Sequence, residues 1–320
     1  METGTKKQIS QAVSKTRLTD YIRAMRPEHW IKNLVVLAAF FFALGDSKEA
    51  IKFQPLWLAA CHIIGAAIIF CIISSAVYVF NDIRDRDLDR AHPQKKLRPI
   101  AAGMITLSHA WFLAVALFTI GVASSIMLSM PLAYVVVAYI LLQVCYTLAL
   151  KKIAMLDVLV IASGFVLRAL AGAATLSVAI SPWLVLCTFL LALFLGFCKR
   201  RHEKILLVDS ASENRPSLVN YDERLLDQVI GIAAAATIVS YSVYTLSPDT
   251  VVKFGTAWLG FSIPFVIFGV FRYLDLVYRH DQGNKPERLL LADKPLLLNM
   301  LLYTIVIIIV VIRSRIQSIF

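Results

Sequence analysis

The stretch Asn81-Asp82-Ile83-Arg84-Asp85-Arg86-Asp87-Leu88-Asp89-Arg90 gathers four carboxylates within eight residues at the end of a long apolar run. On a helix, Asp82, Asp85 and Asp89 stand at i, i+3 and i+7 and share a face, with Asn81 beside them and Asp87 turned away. Three carboxylates on one face repel one another unless a cation lies between them, and a hard divalent ion is the usual occupant. The chemistry predicted is binding of Mg2+ by Asp82, Asp85 and Asp89. Arg90, Lys95, Lys96 and Arg98 follow within a few residues, so a phosphorylated ligand can be clamped between metal and cations. An acidic helix end balanced by a basic loop is the bland alternative, and it leaves the stacked acids unexplained.

Three further constellations carry polar chemistry. Tyr146, Lys151, Lys152 and Asp157 lead into Gly164-Phe165-Val166-Leu167-Arg168, where Arg168 lies well inside an apolar segment. A charge at that depth is costly and is expected to face the bundle interior or a polar cavity. Asp157 and Arg168 share a helical face but are separated by about 16 Å along the axis at 1.5 Å per residue, too far for a direct pair. Arg26-Pro27-Glu28-His29-Trp30-Ile31-Lys32-Asn33 puts Lys32 beside an interfacial Trp30, consistent with either snorkelling or function. Lys199-Arg200-Arg201-His202-Glu203-Lys204 is a basic cluster that could set topology or bind phosphate. Arg272 and Asp275 read as a local ion pair. No GxxxxGK[ST], HExxH or strand-bounded GxGxxG occurs, which argues against ATP-driven transport on this chain alone.

These groups must be positioned by a membrane-embedded helical bundle. The 320 residues are 59% hydrophobic with a mean hydropathy of +0.73. That is well above the roughly 45–50% apolar content of soluble domains. Spans of about 20 apolar residues are predicted near 28–45, 56–80, 107–126, 132–150, 156–176, 182–199, 227–246, 256–278 and 295–312. The gaps on the amino-terminal side of these nine spans hold 24 of the 32 Lys and Arg, the opposite gaps and the carboxyl end 5. This asymmetry places the amino terminus and the acidic stretch in the cytoplasm. The net charge of +11 is thus a topology device, and nucleic acid is not an expected partner. The five cysteines fall singly and the six histidines form no cluster, so neither supplies a metal site. Ala43-Leu44-Gly45 has the form of a signal-peptidase site. The long polar region before it and the spans after it favour an uncleaved first span. The organisation expected is a polar cytoplasmic arm over 1–20 and one transmembrane catalytic domain over 21–320.

The motifs, in this order, resemble those of a known family. Asn81-Asp82-x-x-Asp85-x-x-x-Asp89 resembles the first aspartate motif of the UbiA superfamily of intramembrane prenyltransferases, whose nine-helix topology also agrees. Arg26-Pro27-x-x-Trp30-x-Lys32-Asn33, Asp89-Arg90-x-His92-Pro93-x-Lys95-x-x-Arg98-Pro99-Ile100-Ala101-x-Gly103, Leu150-Lys151 to Asp157, Gly164-Phe165-x-Leu167-Arg168-Ala169 and Lys199-Arg200 resemble its decaprenyl-phosphate phosphoribosyltransferase branch. The resemblance covers most of residues 20 to 205 and is weak beyond. One departure matters: the stretch matching the second, DxxxD motif is Asp157-Val-Leu-Val-Ile161, without its second acid.

The resemblance implies transfer from 5-phosphoribosyl 1-diphosphate to a polyprenyl phosphate in the inner membrane, in a pathway for cell-envelope glycan precursors, with a homo-oligomer as a possible assembly. Asp82 and Asp85 are then expected on Mg2+, with Asn81 and Asp89 supporting the metal or the ribose. Arg90, Lys95, Arg98, Lys151 and Arg168 are candidates for the donor phosphates. Lys32, Lys199 and Arg200 are candidates for either anion, and Tyr146 and Asp157 for ribose or supporting roles. Two rivals are a UbiA-type enzyme moving a prenyl chain to an aromatic acceptor, and a transporter or lipid flippase. The missing acid of DxxxD speaks against the first, and the crowding of charge at one face speaks against the second.

Overall fold

A computed structural model describes residues 17–44, 55–179, 181–208, 221–279, 289 and 292–317. Most of the polar arm expected over 1–20, and Gly45 of the cleavage-like motif, lie outside these residues. The elements are α1 (Leu18–Met25), a 3-10 helix (Pro27–Leu37), α2 (Ala38–Leu44), α3 (Leu56–Arg84), α4 (Arg86–Ala91), α5 (Leu107–Leu128), α6 (Met130–Leu148), α7 (Leu156–Leu176), α8 (Pro182–Val208), α9 (Glu223–Leu246), α10 (Pro248–Phe254), α11 (Ile263–Arg279) and α12 (Lys294–Gln317). There is no strand among the described residues. Eight of the helices are long and apolar enough to cross a membrane, which makes this a multi-pass membrane protein.

The first predicted span is built differently. Pro27–Leu37 winds as a 3-10 helix and α2 continues it. At about 2.0 Å per residue the 3-10 part advances roughly 22 Å, and α2 adds about 10 Å. The sum matches the roughly 30 Å hydrocarbon thickness, so among the described residues this segment joins the eight helices as long enough to traverse it. In a 3-10 helix side chains three apart eclipse, and the residues sort accordingly. Asn33 and Val36 are buried, Asn33 Nδ2 donating to Ser74 Oγ at 3.2 Å, and Trp30 on the same ridge, though 37% exposed, reaches the protein by donating from Nε1 to Ser75 Oγ at 3.0 Å. Glu28, Ile31 and Leu34 are exposed. His29 and Lys32 form the third, half-buried ridge.

Helix α7 is the common wall. One apolar core joins the 3-10 helix and α2 with α3, α6 and α7 through Val36, Phe70, Ile73, Val136, Tyr139 and Ala171. A second joins α7 with α8, α9, α11 and α12 through Val158, Phe194, Ile230, Tyr273 and Leu296. Small residues along α7 let backbones approach, as packing between helices in lipid favours. The tightest case is Gly172, where a Cβ would fall 2.0 Å from the Val36 carbonyl oxygen.

Helices α3 and α8, with 29 and 27 residues, are about 43 and 40 Å long at 1.5 Å per residue. Both therefore outrun the roughly 30 Å hydrocarbon, and both carry charged ends on the same side of the bundle. The loop from α4 to α5 is held to that end by Ile100 and Ile105, which pack with Ala24, Val79 and Ile83. Gly103, at φ +75°, makes the turn that L side chains rarely accept. Gly172→Ala is expected to cost about 1–3 kcal/mol of stability by overpacking, seen as a lower melting temperature in detergent. Gly65→Ala, whose Cβ would meet only the Leu128 side chain at 3.5 Å, is expected to leave it unchanged.

Candidate active site

The helix expected to run through 81–89 breaks at Asp85, which has φ −95° and ψ 6°, and α4 starts after it. The Asp89 N–H still bonds the Asp85 carbonyl at 2.8 Å, and Asp82 and Asp89 stay close enough to share one cation, yet the expected three-carboxylate ligand set is not assembled: among the described residues no group of three His, Cys, Asp or Glu is arranged to hold an ion. The reason is electrostatic. Each acid is met by a cation from another part of the chain, which removes the repulsion that the sequence reading assigned to a metal. Asp82 Oδ1 accepts from Arg26 Nη2 and, at 3.2 Å, from Arg98 Nη1. Arg98 Nη1 also donates to Asp89 Oδ2 at 2.5 Å, so one guanidinium bridges two buried acids. Asp85 takes Lys151 Nζ, delivered from the link between α6 and α7. Asp87 is exposed, as expected.

The 81–89 segment still offers one buried oxygen to a ligand. Asp82 is 2% exposed, and its Oδ2 is buried with no hydrogen-bond partner. A buried carboxylate oxygen left unsatisfied costs free energy, and hard oxygen donors of this kind suit a divalent ion. Asp82 and Asp85, with Asn81 and Asp89 nearby, thus fit a hard divalent ion if the guanidinium and ammonium groups change partners. Asn81 is fixed by a hydrogen bond to the Thr147 hydroxyl.

The basic loop is internally braced. His92 Nδ1 accepts from the backbone N–H of Gln94 at 3.1 Å and of Lys95 at 3.3 Å. Burial, and then the charge of Lys95, push the His92 pKa below its ordinary value, so Nδ1 stays an acceptor. Arg90 Nε donates to the Ala101 carbonyl at 3.0 Å, which assigns Arg90 to holding the loop. Lys95 lies half-buried in a short 3-10 turn, Lys95–Leu97.

Asp157 and Arg168 do not meet, as their separation required. Asp157 is 1% exposed and both its oxygens are engaged: Arg200 Nε donates to Oδ2 and the Tyr221 hydroxyl to Oδ1, each at 2.6 Å. Arg200, 2% exposed, also donates to Glu203 at 2.6 Å. Arg200, expected to bind a substrate anion, is therefore neutralised by protein carboxylates and inaccessible. Tyr146 is buried and interacts electrostatically with Arg200, while Lys199 beside it is half-buried.

Arg168 is buried within α7 and its hydrogen-bond partners are all uncharged. It donates to Asn33 Oδ1 at 2.8 Å, the Gly164 carbonyl at 2.9 Å and the Tyr139 hydroxyl at 2.7 Å. Its guanidinium also lies over the Tyr139 ring, 4.8 Å from the centroid. These bonds tie Arg168 to its own helix, to α6 and, through Asn33, to the first span; among the described residues no hydrogen bond joins it to the acidic cluster, where its role as a donor-phosphate ligand was expected. Lys32 occupies the half-buried ridge of the 3-10 helix after His29, whose ring lies 5.3 Å from Tyr78. Arg26, left-handed at φ 53°, also lies over Tyr78, at 5.1 Å. Arg26, Thr147 and Tyr221 are site residues the sequence reading did not select. Arg26 opens the Arg26-Pro27-x-x-Trp30-x-Lys32-Asn33 motif, whereas Tyr221 lies beyond the region of resemblance.

The UbiA prenyltransferase family pattern matches residues 33–305. The chain is 35% identical over 292 residues to the decaprenyl-phosphate phosphoribosyltransferase of Mycolicibacterium smegmatis, covering 88% of this chain and 89% of that one. It is 34% identical over 278 residues to the protein of the same name from Corynebacterium glutamicum, covering 86% and 81%. A solved UbiA homologue from Archaeoglobus fulgidus, bound to GPP and Mg2+, superposes with a TM-score of 0.64 at 17% identity, covering 92% of this chain and 98% of that one. The same homologue bound to Cd2+ gives 0.63 at 15% identity, covering 94% and 100%. At such identities the structural likeness concerns the fold.

Removing Arg200 leaves Asp157 buried without a counter-charge. Arg200→Leu is expected to cost about 3–5 kcal/mol in detergent unfolding, and the pair Asp157→Asn with Arg200→Leu to recover a large part of it.

Proposed function

The chain belongs to the UbiA prenyltransferase family, and on that footing we propose that it moves the 5-phosphoribosyl group of 5-phosphoribosyl 1-diphosphate onto a polyprenyl phosphate. The products are polyprenyl-phosphoryl ribose 5-phosphate and pyrophosphate. The observation that carries this reading is the likeness, at 34–35% identity over 86–88% of the chain, to decaprenyl-phosphate phosphoribosyltransferases. The charge of the site agrees with it: one acidic cluster, surrounded by Arg26, Arg98 and Lys151, suits a donor with several phosphates.

Asp82 and Asp85 would hold Mg2+, with Asn81 and Asp89 as supports. When bound, the ion would supply positive charge to the leaving diphosphate. Arg98, Lys151 and Lys95 are assigned to the donor phosphates, for which their N–H groups are hydrogen-bond donors. The acceptor carries its phosphate at the membrane interface and its tail in lipid. Lys32, on the half-buried ridge that begins with His29 and runs into the membrane, is assigned to that phosphate. An acceptor phosphate oxygen forms a bond to the anomeric carbon as the bond from that carbon to the diphosphate breaks. The nucleophile is already an anion, so no general base is required. What the site contributes is neutralised charge and two anions held close. The asymmetry of 24 against 5 basic residues supports a cytoplasmic amino terminus and active site in the inner membrane.

Purified protein incubated with labelled phosphoribosyl diphosphate, polyprenyl phosphate and Mg2+ is expected to yield lipid-extractable label. Absence of that label, together with prenyl transfer to an aromatic acid, would overturn the proposal. Asp82→Ala and Asp85→Ala are each expected to lower turnover by about 10²-fold or more, the scale seen when a charge-stabilising group is lost, while the unfolding transition in detergent persists. Chelation by EDTA is expected to abolish turnover and added Mg2+ to restore it.

A further inference from the structure

Met155, the residue before α7, has φ 66° and ψ −46°. This is a conformation that a side-chain-bearing residue holds only when its surroundings impose it, at a cost of order 1–3 kcal/mol. The turn is one residue wide, since the Leu156 N–H bonds the Ala154 carbonyl at 2.8 Å. What imposes it is a tyrosine from 66 residues further along: the Met155 N–H donates to the Tyr221 hydroxyl at 2.7 Å. The same hydroxyl donates a hydrogen bond to Asp157 Oδ1 at 2.6 Å, and Asp157 is held on its other oxygen by Arg200. Tyr221 is 2% exposed. Burial, followed by the bond to Asp157, pushes its pKa far above the ordinary tyrosine value, so the hydroxyl keeps the proton it donates.

The turn belongs to the short link between α6 and α7 that carries Lys151 to Asp85. We infer that Tyr221 is a positioning residue: its hydroxyl clamps the strained Met155 turn to the Asp157–Arg200 pair and thereby sets where Lys151 stands at the donor site. The lone acid of the second motif then has a task. Ile161 stands where a second acid would be, and Asp157 is balanced by one arginine and one tyrosine, so it serves as the anchor of the brace. The inference rests on the phosphoribosyl-transfer reading only in taking Lys151 as a donor ligand.

The test is Tyr221→Phe, which removes one oxygen. Amide hydrogen exchange across 153–157 is expected to quicken. The KM for phosphoribosyl diphosphate is expected to rise about tenfold, roughly 1.4 kcal/mol of lost binding, with kcat and the acceptor KM little changed. Met155→Gly, which accepts positive φ without strain, is expected to return the donor KM of Tyr221→Phe towards the parent value. Unchanged exchange in Tyr221→Phe overturns the brace whatever the protein's substrate. Quickened exchange with an unchanged donor KM overturns the positioning role. A wild-type protein inert towards phosphoribosyl diphosphate overturns the functional reading, and the exchange result still judges the brace. If Tyr221→Phe does not fold, the same readings are made on Met155→Gly with and without Tyr221→Phe. A parent-like donor KM in that double variant supports the brace, and a raised one overturns it.

Discussion

Carboxylates at the edge of a low-dielectric bundle must be paired, and much of the geometry at one end of this protein follows from how that pairing is arranged. Asp82, Asp89 and Asp157 are all but inaccessible, and in such surroundings an uncompensated charge costs several kcal/mol. None of them takes its cation from its own helix. Arg26 comes from before the first span, Arg98 from the loop ahead of α5, and Arg200 from α8, while the more exposed Asp85 takes Lys151 from the link after α6. The ion pairs therefore stitch together segments that lipid-facing packing would leave independent. They also leave the cations next to the acids, where a polyanionic ligand and a divalent ion can exchange partners with them.

The 3-10 helix solves a second constraint. A column of residues that faces the protein at every third position can meet two helices at once, and Trp30 and Asn33 do so through Ser75 and Ser74 of α3 and Arg168 of α7. An α-helix would rotate successive members of that column by about 60°, since three residues at 3.6 per turn fall short of a full circle. The contact between Gly172 and the Val36 carbonyl fixes the height at which this column sits against α7. Three neutral acceptors and an aromatic face accommodate the Arg168 guanidinium in the middle of the bundle.

Much of this was legible in the residues. Apolar run lengths located eight helices to within a few positions, α8 excepted at its far end, because hydrophobic length is a direct imprint of bilayer thickness. The burial of Arg168 and its separation from Asp157 followed from helical spacing. The break at Asp85 did not, because no glycine or proline marks it and the helix stops where the acids find partners that lie far away in sequence. The same cause hid the 3-10 winding of the first span and the role of Arg26, both settled by tertiary contacts that local propensity does not encode. Tyr221 was invisible for a different reason: a tyrosine in a polar stretch looks like any other until the backbone it braces is seen.

The overshoot of α3 and α8 beyond the hydrocarbon layer sets the altitude of the acidic cluster relative to the bilayer. Helices that outrun the hydrocarbon in this way carry their charged ends, here with Asp85 and Glu203, towards the layer of lipid headgroups, where the aqueous phase and the two-dimensional lipid phase are both within a side chain's reach. For any reaction joining a dissolved anion to a lipid-borne one, this makes supply of the second reactant a matter of surface density, and it makes every bystander lipid phosphate at that altitude a competitor. Discrimination then falls to the braced loops around the cluster, since depth alone admits them all.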